Sequence, residues 1–221
     1  MPWLPPSISE IVPHLFIGNL SSSMNPDTLR ENNINAIVSL LDGPYAKWND
    51  PENRKLVPKE RHLFVPCLDS STMDVLALMS DVCDFIDKHL HAPIFPLLPE
   101  EGAQNDSHNG IGEETPSTGN VLVHCKVGVS RSGTFVLAYL MRKRPDDLNS
   151  VLNQVKEKRN IKPNYNFLEQ LKVWEVVEYQ VWKDPIRNIP KEPYRAYLNR
   201  RAARLATKGL TGNEPIVMTS L

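Results

Sequence analysis

Cysteine is scarce in this chain: three in 221 residues, Cys67, Cys83 and Cys125, which form neither a paired framework nor a metal-ligand spacing. That argues against a disulfide- or metal-stapled fold and for a reducing compartment, here read as cytoplasm, nucleus or both. Net charge is nearly absent. At −1 over the whole sequence, no global field favours nucleic acid, so any electrostatic preference must be local. No apolar run is long enough to cross a bilayer. The first residues, Met1-Pro-Trp-Leu-Pro-Pro-Ser7, lack the basic start and apolar stretch of a secretory signal, and Pro2 does not fit the myristoylation pattern.

What is present is an alternation of strands and helices. Ile8 to Ile17, broken by Pro13, reads as an edge strand or two short ones, and Ala36–Leu41 and Arg61–Val65 read as buried strands separated by a long polar loop. Asn25-Pro26-Asp27 is a helix start. Ser71-Thr-Met-Asp74 has the form of a capping box opening an amphipathic helix with Val75, Leu78, Met79, Val82, Phe85, Ile86 and Leu90 on one face. Two later helices carry Leu148, Val151, Leu152 and Val155, and, from Asn164, Phe167, Leu168, Leu171, Trp174 and Val177. The pattern predicts an α/β fold, a central mostly parallel mixed sheet flanked by helices.

The stretch Val121-Leu-Val-His124-Cys125-Lys126-Val127-Gly128-Val129-Ser130-Arg131-Ser132-Gly133 concentrates the chemistry. A buried strand runs into a tight loop and then a helix, so loop and first-turn N–H groups converge on one spot and form an anion site. Cys125 lies at the positive end of that helix near Arg131, both of which favour its thiolate. Arg131 offers a planar fork for two phosphate oxygens. Gly128 leaves room for the anion, and Ser132 can donate to the Cys125 sulfur.

His124-Cys125-x5-Arg131-Ser132 resembles the signature of the cysteine-dependent protein tyrosine phosphatases. The flanking text, Val12 to Leu20, Ser132 to Met141 and Lys162 to Leu171, is similar to their dual-specificity branch. The likeness implies a metal-independent phosphatase needing no cofactor, with residues 126–130 lining the phosphate loop beside Cys125 and Arg131. It implies an aspartate as general acid, which falls on Asp69 in Pro66-Cys-Leu-Asp69; Asp74 and Asp106 are the weaker candidates. His124 would hydrogen-bond the loop backbone, and Asn164, a helix cap, would also brace the loop. Val129 stands where phosphatases of inositol phosphates usually carry lysine, and the phosphotyrosine-recognition loop of the larger tyrosine-specific enzymes is absent. A phosphorylated protein, on tyrosine or serine/threonine, is the substrate this implies. The alternatives are a phosphoinositide, inositol phosphate, RNA 5′ end or phosphoglucan, or binding without turnover.

The catalytic domain is expected over 7–182, with a mobile surface insert at 92–119 carrying Thr115-Pro116 as a kinase target, and a basic extension over 183–221. Tyr194–Ala206 has helical propensity and an arginine cluster: a surface helix, or an arm for an acidic partner, RNA or an anionic membrane. The end, Thr219-Ser-Leu221, fits a PDZ-type pattern too short to count. Cys67 and Cys83 read as buried thiols, with a resolving role toward oxidised Cys125 as the alternative. A monomer is expected.

Overall fold

Alternation of apolar side chains along β5 (Asn120–His124) sets the architecture: Val121 and Val123 turn to one face of the sheet and Leu122 and His124 to the other, all buried. In the computed structural model, residues 4–90, 119–144 and 146–211 are described. β5 is the middle of a five-stranded sheet ordered β1-β2-β5-β3-β4. β1 (Ile8–Val12) runs antiparallel to β2 (Leu15–Gly18), and β2, β5, β3 (Ile34–Leu41) and β4 (His62–Pro66) are parallel. Pro13 splits the first apolar run, as expected, and His14 takes the left-handed conformation of the turn, φ 71°. The expected mixed, mostly parallel sheet is therefore present.

One face carries α3 (Leu76–Leu90), α4 (Arg131–Lys143), α5 (Leu148–Lys158) and α6 (Tyr165–Val176), which bury Met79, Val82, Ile86, Phe135, Val151, Phe167, Leu171 and Trp174 against the sheet. The Trp174 indole is fully buried and its N–H donates to the Ala138 carbonyl at 3.1 Å, so the ring brings apolar area without an orphaned donor. The opposite face is covered by α1 (Pro26–Glu31), whose Asn25 side chain accepts from Thr28 N, and by α2 (Pro51–Leu56). α2 corrects the expectation of an irregular loop between β3 and β4. Asp50-Pro51 looks like a chain breaker, yet proline at the first helical position forfeits only an N–H that had no partner there.

A second correction concerns α3, which starts at Leu76 rather than beside Ser71. The Val75 and Leu76 N–H groups donate to Gln170 Oε1 from α6, at 2.7 and 3.1 Å, so a neighbouring helix caps this end.

The helix foreseen at Tyr194–Ala206 is α7 (Glu192–Ala206), and it is packed on the body. Tyr194 and Tyr197 are buried in the main core. Their hydroxyls donate to Asp74 Oδ2 at 2.9 Å and to the Met73 carbonyl at 3.4 Å. Arg201 Nε donates to the Thr72 carbonyl at 2.6 Å, Lys208 Nζ to Ser71 Oγ at 3.2 Å and Arg204 to Asn166 Oδ1 at 3.2 Å. Part of the basic cluster is thus engaged within the chain. Most of the 92–119 insert, with Asp106 and Thr115-Pro116, lies outside the described residues, as does Thr219–Leu221.

Candidate active site

The site lies at the carboxyl end of β5, where strand becomes loop and then α4. Gly128 is the loop's pivot. Its φ is +77°, and a Cβ there would stand 2.5 Å from the Gly18 carbonyl oxygen, so neither the conformation nor the space admits a side chain. The turn it makes carries its own N–H back to Cys125 Sγ, 3.2 Å away. The Ser132 hydroxyl lies 3.4 Å from the same sulfur. Cys125 is 2% exposed, at the bottom of the cradle. Burial works to push this thiol up. It is outweighed by the Arg131 charge, the Ser132 hydroxyl and the Ser132 and Val129 N–H groups, so the thiol sits below its ordinary value.

Arg131 enters the site from the first turn of α4. It is 8% exposed; one Nη donates to the Cys67 carbonyl at 3.0 Å, while its Nε is buried with no hydrogen-bond partner. A buried guanidinium donor left unmatched costs free energy, and an oxyanion above Cys125 would recover it. Asp69 is exposed and tied to the rim of the loop: its Oδ1 accepts from Ser130 Oγ at 2.8 Å and from Asn164 Nδ2 at 2.7 Å. Asn164 meanwhile caps α6, accepting from Phe167 N at 3.0 Å, so one side chain fixes the helix and the carboxylate together. Asp74 is turned away toward Tyr194. Burial raises its carboxyl, against the pull of the Tyr194 hydroxyl and the Arg201 charge.

The structure therefore gathers Cys125, Lys126 to Arg131, Ser132, His124, Asp69 and Asn164 around one loop. Lys126 and Val127 form its exposed rim, Gly128 is buried, and Val129 and Ser130 are half-buried. His124 is fully buried; burial pulls its imidazole down to about 3, so it stays neutral, with Nδ1 3.4 Å from the Cys125 carbonyl. Burial likewise pushes the Cys67 and Cys83 thiols up to about 12, leaving Cys125 as the one described thiol held low. Two surface cavities of about 470 and 510 Å³ lie elsewhere, and neither is lined by Cys125, Arg131 or Asp69.

One residue that sequence reasoning missed is Arg159, at the end of α5. Its Nε donates to the Gly128 carbonyl at 2.7 Å and its Nη groups reach Ser9 Oγ and Ser7 Oγ, both at 3.2 Å, pinning the loop to the edge of the sheet. Locally it reads as a basic residue in a helix's last turn, an ordinary dipole preference.

Comparison with known proteins agrees with this geometry. The family described as dual specificity phosphatase, catalytic domain, matches residues 105–177. Dual specificity protein phosphatase 26 of Rattus norvegicus is 31% identical over 162 residues, covering 73% of this chain. The chain spans 64% of that relative's length. The Yvh1 phosphatase domain from Chaetomium thermophilum superposes with a TM-score of 0.60 at 26% identity, covering 77% of this chain and 96% of that one. The human tyrosine phosphatase-like serine/threonine/tyrosine-interacting protein superposes at 0.59, with 26% identity and coverages of 78% and 98%. The chain belongs to the dual-specificity branch of the cysteine-dependent protein tyrosine phosphatases.

Proposed function

We propose that the protein hydrolyses phosphate monoesters on protein tyrosine and serine/threonine side chains through a covalent cysteinyl-phosphate. In the first step the Cys125 sulfur attacks phosphorus. The S–P bond forms as the ester P–O bond breaks, and Asp69, as the acid, gives its proton to the departing oxygen. Arg131 and the loop N–H groups hold the three phosphoryl oxygens. In the second step a water oxygen attacks phosphorus, its proton passes to the Asp69 carboxylate, and the S–P bond breaks with the Ser132 hydroxyl stabilising the thiolate that leaves.

The observation that carries this reading is the unmatched, buried Arg131 Nε beside a depressed Cys125 thiol, with a carboxylate fastened to the same loop from outside. Protein rather than inositol phosphate substrates follow from the rim. Val127, half exposed, and Val129 put apolar surface where a polyphosphate would call for more cations. A thiolate nucleophile is lost to oxidation outside reducing surroundings, which favours cytoplasm or nucleus.

The test is hydrolysis of p-nitrophenyl phosphate in the presence of chelator, followed by a panel of phosphopeptides and phosphoinositides. Turnover should vanish in Cys125→Ser while phosphate binding survives, and phosphopeptides should be preferred. Binding without turnover in the wild-type protein would overturn the proposal.

A further inference from the structure

Behind the phosphate loop, on the α1/α2 face of the sheet, four hydrogen bonds join in series. Arg54 Nη1 is 3.2 Å from His62 Nδ1, and His62 Nε2 is 2.7 Å from Ser39 Oγ. Ser39 Oγ is in turn 2.6 Å from His124 Nε2, and His124 Nδ1 is 3.4 Å from the Cys125 carbonyl oxygen. Strand register makes the contact. Ser39 and His124 are direct partners across β3 and β5, and His62 pairs with Ile37, two residues from Ser39 and so on its face. Trp48 stands edge-on to both imidazoles, with ring centroids 4.6 and 5.8 Å away.

The two ends decide the direction of every link. Arg54 can only donate and a carbonyl oxygen can only accept. His62 Nδ1 must therefore be the bare nitrogen and His62 Nε2 the protonated one. Ser39 Oγ then accepts from His62 and donates to His124 Nε2, which leaves the His124 proton on Nδ1, facing the Cys125 carbonyl. The opposite sense would set two N–H groups against each other at Arg54 and two lone pairs against each other at Cys125. Both rings are held neutral by burial, as one proton per ring requires. Four dipoles thus align with their positive ends toward the loop, and aligned bonds strengthen one another in a low-dielectric setting.

We infer that Ser39, His62 and Arg54 are positioning residues for the nucleophile: they lock His124 into the tautomer that holds the Cys125 backbone and aim a line of dipoles that stabilises the thiolate. None belongs to the His124–Ser132 stretch. The inference rests on the reading of Cys125 as nucleophile. The other charged or polar groups acting on the sulfur are Arg131, Ser132 and Arg159, and those acting on the outer end are Arg54 and, through it, Glu60. Changing Ser39 or His62 leaves Arg131, Ser132 and Arg159 in place, and His62→Phe takes from Arg54 only the acceptor at the outer end.

The experiment follows the rate of Cys125 alkylation by iodoacetamide against pH, with peptide mapping of the label, in Ser39→Ala, His62→Phe and His62→Gln. Cys67 and Cys83 stay protonated across the range, so the profile reports Cys125. The midpoint should rise by about one pH unit in Ser39→Ala and His62→Phe, a tenfold change in the thiolate equilibrium. Turnover of aryl phosphate near pH 6 should fall about as much in kcat/KM, with KM little changed. The amide of His62→Gln can donate to Ser39 and accept from Arg54, so it should restore the wild-type midpoint. His62 is half-buried, so the two variants there test the chain even where Ser39→Ala fails to fold. Midpoints overlying the wild type in Ser39→Ala and His62→Phe overturn the inference, as does a His62→Gln that shifts as far as His62→Phe. Shifted midpoints in a wild-type background that shows no turnover uphold the relay and sink the phosphatase reading instead.

Discussion

The two halves of the site are held in different ways. The nucleophile loop, residues 124–132, is fixed by its own backbone: Gly128 turns an N–H onto Cys125 three positions back, and Arg159 from the adjoining α5 pins that turn. The acid segment, residues 67–75, has a local turn of its own, in which the Met73 N–H donates to Ser70 Oγ at 3.1 Å, but that turn does not hold the Asp69 carboxylate. Its carboxylate is held by Ser130 and Asn164, 61 and 95 residues on, and its following turn by Arg201 and Lys208, 129 and 137 residues on. A nucleophile must be preorganised against a fixed ring of donors, whereas an acid has only to reach one oxygen. Local chain geometry suits the first need and long-range side chains meet the second.

The largest effect expected from this division is in Asp69→Ala. Turnover of substrates with poor leaving groups should drop by about 10²–10⁴-fold while the Cys125 alkylation profile stays unchanged. A profile that moved with it would mean that the two halves are one unit. Gly128→Ala should do the reverse, shifting alkylation and costing about 1–3 kcal/mol in urea unfolding, because alanine at φ +77° strains the chain and meets Gly18.

The imidazoles of His62 and His124 give the nucleophile half an acid sensitivity. His62 and His124 are held down to about 4 and about 3, so they remain neutral in the fold while in the unfolded chain they bind protons below about pH 6.5. Stability is therefore full above that pH and falls as pH drops toward 4, by roughly 1.4 kcal/mol per pH unit for each proton taken up on unfolding. Denaturant titrations between pH 7 and 4.5 should show this slope, and His62→Gln should remove about one proton's share. The smallest effect belongs to the acid half. Tyr194→Phe takes a donor from the half-buried Asp74 and should cost about 1–2 kcal/mol in thermal unfolding without moving the alkylation profile.

This division also governs what could be read from residues in line. Short apolar runs gave β3, β4 and β5, proline placement left the first run open as one edge strand or two, and a contiguous motif gave Cys125, Arg131 and Ser132, because each depends on neighbours a few positions apart. Asp69 was reachable only through family likeness, since nothing beside it marks it off from Asp74; what separates them is Asn164 on one and Tyr194 on the other. α2 was hidden by a proline that looks like a stop and serves as a start. Ser39, His62 and Arg159 carried no sequence signal. Their contacts come from strand order β5-β3-β4 and from α5 crossing the sheet edge, neither of which is encoded in any short window.

The helix that clasps the acid segment has one more consequence, for a chain made from its amino end. Glu192–Ala206 leaves the ribosome some sixty residues after Arg131, several seconds later at about 5–20 residues per second. During that interval Thr72 and Ser71 lack their partners Arg201 and Lys208, and the turn that follows Asp69 is held by Ser70 and Asn166 from the part of the chain already made. The turn beside Asp69 is therefore completed only once Glu192–Ala206 has packed onto it, well after the loop around Cys125 has the residues it needs to close.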